Sequence, residues 1–366
     1  MSLLLAPVLY VVAVAGMFLL LIGPHEAGHF LFAKLFKVHV IEFSIGAGTR
    51  LWSVTRGGTL YAIRLLPILG YVRMGGMEAG DFEAPNGFHS KPAWQRIVIL
   101  AGGPAANFLV AMLLITGVGL SQANTDPGKV FKVVPGSPAA AAGFQPGDSI
   151  RTIDGKPYNS PGLLRQEERA DPAAVAEKRA APGLPLTLAG VHANGQPFTY
   201  VLTPKCDADG ACQVGVSVPS KLLSPQTAVA EGVKFPFVAV VGIVQGLWSL
   251  ITGEVPGGLF GPQGLTGPVG IADVAVQSVN QGPLTYIFLV ALLSVALGFT
   301  NLLPLLALDG GRIVVVIIEW LRRRPFDRTS EMNFHRWGLV ALVGLAVVIT
   351  FLDVQRIATG QFPGVR

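Results

Sequence analysis

Residues 3–29 read LLLAPVLYVVAVAGMFLLLIGPHEAGH, an uncharged apolar run that ends in two histidines and a glutamate. A helix needs about 20 apolar residues to cross the hydrocarbon core, and Leu3–Gly23 supplies them. Its amino-terminal flank has no Lys or Arg and no small-residue cleavage site follows, so it reads as a retained span rather than a signal peptide. Within Pro24-His25-Glu26-Ala27-Gly28-His29, the two histidines are one helical turn apart and face the same way, so both imidazoles can reach one metal ion. Zinc lies about 2.0–2.1 Å from an imidazole nitrogen, a reach that an i, i+4 pair satisfies. Glu26 stands beside the pair, where it can take a proton from water and hand it to a leaving amine. The same pattern occurs by chance in soluble helices. Here the setting sharpens it, because each ionisable group near a bilayer centre costs about 2.5–3.5 kcal/mol. Three such groups at the end of an apolar span call for a ligand that offsets the cost.

The rest of the chain agrees with a membrane setting. Of its 366 residues, 51% are hydrophobic and 13% charged, against roughly 25% charged in soluble domains. The mean hydropathy is +0.54. The net charge of +5 does not point to nucleic acid, since Lys and Arg cluster beside apolar runs, as at Arg322, Arg323 and Arg324, and no aromatic-interleaved basic face exists. Three further runs qualify as spans: Ile97–Leu120, Leu284–Leu308 and the shorter Trp337–Leu352. The fold expected is a polytopic α-helical membrane protein with four transmembrane helices. A fifth apolar stretch, Phe235–Thr252, carries Pro236, Gln245 and several glycines. Basic residues in the loops after spans one and three place both loops in the cytosol, which requires two crossings between them. Phe235–Thr252 is therefore expected to lie on the outer surface as an interfacial helix.

A third metal ligand should be buried at the depth of the histidines. His39, His89, His192 and His335 fall in polar or loop stretches, and Glu42 and Asp353 at or beyond apolar boundaries, where solvated charge is expected. Asp309 ends the uncharged run of span three inside Leu308-Asp309-Gly310-Gly311. It lies toward the cytosolic end of an inward-running span, as His25 and His29 do, so the three can meet at one depth.

Two soluble-looking regions interrupt the spans. Val40–Ile45, Leu51–Thr55, Thr59–Leu65 and Gly70–Met74 read as short strands, with a hairpin turn at Arg56-Gly57-Gly58-Thr59. Between spans two and three, Val130–Val134, Ser149–Ile153, Pro185–Leu188 and Thr199–Thr203 read as strands, and Pro161–Ala180 as helix. Cys206 and Cys212 flank a turn-like Asp207-Ala208-Asp209-Gly210; a disulfide and two free thiols both fit this spacing.

These residues resemble the site-2 proteases, intramembrane zinc metalloproteases, in particular the bacterial branch that carries a PDZ domain. The resemblance covers nearly the whole chain. It rests on the HExxH of span one, Gly102-Gly103-Pro104-Ala105-Ala106-Asn107, Thr266-Gly267-Pro268-Val269-Gly270-Ile271-Ala272 and Asn301-Leu302-Leu303-Pro304 with Leu308-Asp309-Gly310. It implies that His25, His29 and Asp309 ligate Zn2+, that Glu26 is the catalytic base, and that Asn301 lines the site or contacts substrate. The family often has a second proline where this chain has Leu306. The insert resembles an α+β PDZ domain through Gly136-Ser137-Pro138, Gly147-Asp148-Ser149-Ile150 and Ile153-Asp154-Gly155; a peptide ligand in its groove and a domain that only blocks access by its bulk both fit.

The resulting expectation is a membrane half over residues 1–120, an extracytoplasmic PDZ domain over 121–222, an interfacial helix and linker over 223–283, and a second membrane half over 284–366. The enzyme is expected in the bacterial inner membrane, its site toward the cytosol. Its substrates would be single-pass membrane proteins already cut by another protease, such as anti-sigma factors, or remnant signal peptides. The membrane-associated strands 40–74 would hold an unwound substrate at an open edge. The alternative is a non-catalytic membrane adaptor that captures peptides through the PDZ domain; the intact Glu26 argues against it. A metal transporter would show several sites or paired repeats, and neither is present.

Overall fold

The structure is a computed structural model that describes residues 2–77, 81–158, 185–206, 212–218, 223–305 and 307–360. It divides into two compact units, one formed by residues 1–118 and 230–366 and the other by residues 119–229.

The larger unit is helical. Helix α1 covers Ser2–Leu35 and α2 covers Ala93–Ser121. After the insert come α4 (Pro225–Thr252), α5 (Pro268–Gln281), α6 (Pro283–Leu302), α7 (Asp309–Arg322) and α8 (Arg328–Ala358). Five of these, α1, α2, α4, α6 and α8, are long and apolar enough to cross a membrane. Their outward faces are rows of exposed Leu, Val and Phe, as bilayer contact requires. Small residues let α1 and α2 cross closely. A Cβ placed on Gly28 would sit 2.1 Å from the Gly102 carbonyl oxygen, and one on Gly102 2.8 Å from the Gly28 oxygen.

Helix α4, expected as an interfacial helix, is one of the five helices long and apolar enough to cross a membrane. Its Phe235, Ala239, Val240 and Ile243 pack with Ala111 of α2 and Ala291 and Val295 of α6, at mid-length of both helices. Helix α5 packs along α1. Its Ile271 and Ala275 share a core with Met17 and Leu21 of α1, and its Asn280 accepts a hydrogen bond from Tyr10 near the start of α1. The chain thus climbs back along α1 before Gly282 turns it into α6.

The four short strands expected over residues 40–74 form two long, bent ones, β1 (Val40–Arg56) and β2 (Thr59–Met74). Residues 42–45 pair both with 60–63 and with 70–73, while 50–56 pair with 59–64. The two strands therefore behave as four antiparallel segments, of which 50–56 and 70–74 are the outer two. Gly46 and Gly48, at φ +96° and +81°, carry the bend in β1, and Gly57 and Gly58 close the hairpin at φ +58° and +74°. Glu42, expected in solvent, is buried instead. It accepts hydrogen bonds from Arg64 and Tyr71 at 2.7 and 2.8 Å.

Asp353 is the second misplaced carboxylate. It is fully buried, and its Oδ2 accepts from the Gly267 and Gly270 amides, both at 2.9 Å, capping the first turn of α5 from α8. Arg356 bonds the Leu265 and Phe260 carbonyl oxygens. The Gly267–Gly270 motif is thus held to the last helix by charge-assisted hydrogen bonds between segments about 85 residues apart.

The smaller unit holds a four-stranded antiparallel sheet in the order β5-β4-β6-β7, built from β4 (Ser149–Ile153), β5 (Lys156–Pro157), β6 (Leu186–Val191) and β7 (Pro197–Leu202). Two small strand pairs accompany it: β3 (Lys132–Val133) with β10 (Val216–Ser217), and β8 (Lys205–Cys206) with β9 (Cys212–Gln213). Helix α3 (Pro138–Ala142) is capped by Ser137, whose side chain accepts from the Ala140 amide, and ends at Gly143 with φ +96°. Val130, Phe144, Ile150, Leu188 and Phe198 fill its core. The backbone register sets Cys206 opposite Cys212. The expected helix Pro161–Ala180 and Leu306 lie outside the described residues.

Candidate metal centre

Helix α1 continues twelve residues past the end of its apolar run, so the HExxH turn is helical as expected. The chain reaches Asp309 by a different route. Proline disfavours helix in the residue before it, and Leu303, ahead of Pro304, is extended at φ −63°, ψ 145°. The helix restarts at Asp309, which occupies its first turn, with Leu308 as the cap position. Gly310 allows the return: a Cβ there would lie 2.3 Å from the carbonyl oxygens of both Leu302 and Leu303.

The three side chains meet at their tips. His25 Nε2 and His29 Nε2 are 3.2 Å apart, and Asp309 Oδ2 is 3.3 Å from the first and 3.2 Å from the second. This nearly equilateral triangle is buried, with His25 at 8% and His29 at 6% exposure. A tetrahedral zinc with bonds of 2.0–2.1 Å spaces its ligand atoms roughly 3.3–3.4 Å apart, so the triangle fits one face of such a site. Asp309 Oδ2 has no hydrogen-bond donor, as suits an atom that faces a cation. His29 Nδ1 lies 2.8 Å from the Ile99 carbonyl oxygen, which can only accept. That bond places the hydrogen on Nδ1 and leaves the Nε2 lone pair toward the metal position. Among the described residues, no other group of three His, Cys, Asp or Glu side chains has metal-binding reach.

Gly103 of α2 closes the back of the triangle. A Cβ there would stand 2.3 Å from His29 Nε2 and 2.9 Å from His25 Cε1. The Gly102–Asn107 motif was visible in the sequence, yet nothing in its residue types tells that a bare backbone must face the imidazoles. Glu26 lies near all three triangle side chains and also reaches β2. Its carboxylate accepts a hydrogen bond from the Val72 amide, in the outer segment 70–74, and Gly70 leaves room for its Cγ. Asn301 ends α6 and bonds its own helix, Nδ2 donating to the Leu297 oxygen at 3.0 Å; it makes no hydrogen bond to the triangle. His39, His89, His192 and His335 are not brought to the site. His192 Nδ1 instead lies 3.0 Å from Asp148 in the smaller unit.

Apolar helices around a buried His, His, Asp triangle with an adjacent Glu define a membrane-embedded metallopeptidase. The chain matches peptidase family M50 over residues 13–345 and belongs to that family. A Clostridium perfringens protein with a provisional zinc metalloprotease name is 31% identical over 350 residues, covering 94% of this chain and 98% of its own. The zinc metalloprotease RasP of Bacillus licheniformis is 29% identical over 417 aligned positions, covering 91% and 96%. RasP of Geobacillus kaustophilus is 28% identical, covering 91% and 94%. The protein is a zinc metalloprotease of the site-2 type, with several apolar helices that make it a multi-pass membrane protein.

Proposed function

We propose that His25, His29 and Asp309 hold the zinc and that Glu26 is the general base in hydrolysis of peptide bonds within or near membrane-spanning segments of single-pass proteins. The observation that carries this is the triangle of 3.2–3.3 Å edges beside Glu26. Zinc supplies a Lewis acid that polarises the scissile carbonyl and lowers the pKa of a water to about 7. Glu26 takes one proton from the attacking water as its oxygen adds to the carbonyl carbon. When the C–N bond breaks, the same carboxyl returns the proton to the leaving nitrogen. The Val72 amide holds Glu26 in one orientation throughout.

A helical substrate must unwind to expose its peptide bond, and its freed amides need partners in a lipid setting. The outer segment 70–74, which reaches Glu26 through Val72, offers such partners by strand addition. Asn301, eight residues before Asp309 and across the unwound turn, is assigned to substrate contact. The smaller unit is read as an extracytoplasmic PDZ domain that takes a peptide, and the metal site is read as lying toward the cytosol. Substrates would be proteins already shortened by another protease, anti-sigma factors or remnant signal peptides among them.

The test compares wild type with Glu26→Gln for bound zinc and for cleavage of a single-span substrate. Zinc in both and cleavage only by wild type is the expected result. Equal cleavage by both removes Glu26 as the base.

A further inference from the structure

We propose that Asn107 is a positioning residue of the metal site, its Oδ1 serving as acceptor for the Nδ1–H of His25 across one buried water. This rests on His25, His29 and Asp309 being the zinc ligands.

The two histidines differ in their support. His29 Nδ1 has the Ile99 oxygen at 2.8 Å, whereas His25 Nδ1 is buried without a hydrogen-bond partner. A histidine that binds metal through Nε2 carries its hydrogen on Nδ1, and that hydrogen is almost always donated to a carbonyl, carboxylate or water. The ring orientation of His25 is therefore set by something other than a main-chain carbonyl.

Asn107 has the complementary property. It is wholly buried, and neither Oδ1 nor Nδ2 has a partner. Its main-chain oxygen accepts a further hydrogen bond from Ser294 Oγ at 3.0 Å. An unpaired buried amide costs about 1–3 kcal/mol per group. Leucine would also suit the middle of an apolar helix better than asparagine. A side chain so unfavourable for the fold points to a role outside it.

Gly103 links the two groups. A Cβ at Gly103 would lie 2.9 Å from His25 Cε1, the ring atom bonded to Nδ1. Asn107 follows Gly103 by four residues and shares its face of α2. Helical side chains lean toward the amino terminus, so the carboxamide of Asn107 covers the turn in which Gly103 leaves the helix bare. The orphan donor and the orphan acceptor thus border the same bare flank of α2. The four-residue spacing in Gly103-Pro104-Ala105-Ala106-Asn107 is what this arrangement requires.

The experiment titrates zinc into the full-length, detergent-purified protein against a chromophoric chelator and follows thermal unfolding of the metal-free form. Asn107→Leu is expected to weaken zinc binding about 10- to 100-fold, with the metal-free melting temperature unchanged or raised. Asn107→Asp keeps an acceptor oxygen and is expected to bind zinc within a few-fold of wild type. The proposal is overturned if Asn107→Leu binds zinc like wild type, or loses zinc only in step with a lower metal-free melting temperature. An Asp variant as weak as the Leu variant overturns it equally. His25→Ala separates the two levels. If it holds zinc as wild type does, the ligand assignment has failed; if it loses zinc while Asn107→Leu does not, only the role of Asn107 falls.

Discussion

Replacing Gly103 with alanine adds one methyl group, and the structure says where it goes. That carbon would lie 2.3 Å from His29 Nε2, 2.7 Å from His29 Cε1 and 2.9 Å from His25 Cε1. Ordinary contact begins near 3.4 Å, so the His29 ring must retreat by roughly 1 Å. Zinc sites tolerate about 0.2 Å of error in a ligand distance, so this retreat carries Nε2 out of bonding range. The movement also strains the 2.8 Å contact between His29 Nδ1 and the Ile99 oxygen, which fixes the tautomer. A loss on the order of 100-fold in zinc affinity is expected, equivalent to about 2.7 kcal/mol. The assay is metal content after dialysis against a chelator of known affinity, with substrate cleavage measured in parallel. Gly117→Ala, whose Cβ meets nothing within 4 Å, is the matched control. A Gly103→Ala protein that retains zinc within threefold of wild type would refute the geometry of the triangle.

Other perturbations read different parts of the molecule. Gly102→Ala meets Phe32 at 2.6 Å and the Gly28 oxygen at 2.8 Å, so it should separate α1 from α2 and lower thermal stability as well as zinc content; unchanged melting would contradict the close crossing. Glu319 is buried between Arg96 at 2.8 Å and Arg328 at 2.6 Å, and Glu319→Ala should cost about 3 kcal/mol in detergent unfolding by stranding a buried guanidinium. Burial, followed by the Arg328 and Arg96 guanidinium groups, pushes the His89 pKa down to about 4. A folded pKa below the unfolded value means that stability is lost as pH falls from about 6.5 toward 4. In that window His89→Gln should flatten the dependence of melting temperature on pH, and a slope identical to wild type would show that His89 does not contribute. Chelation should abolish cleavage and zinc should restore it, while Asp309→Asn should need more zinc for half-recovery; equal zinc demand would remove Asp309 from the ligand set.

Much of this protein is legible along the chain because the signals are local. Uncharged runs of about 20 residues announce membrane helices, and the i, i+4 spacing of His25 and His29 places two ligands on one face without any tertiary knowledge. Asp309 stood out because a lone carboxylate at the end of an apolar run is costly unless it is used. Tertiary structure alone decided the rest. Phe235, Ala239 and Ile243 found their place between α2 and α6 because an apolar helix face takes whatever complementary surface the fold presents. Glu42 and Asp353 appeared solvated because their partners, Arg64 and the Gly267 and Gly270 amides, lie 22 and about 85 residues away. Gly103 illustrates the divide most sharply. Its lack of a side chain is plain in the sequence, but that two imidazoles occupy the vacated space follows only from the antiparallel crossing of α1 and α2. Periodicity reports which way a residue faces, and only the packed fold reports what it faces.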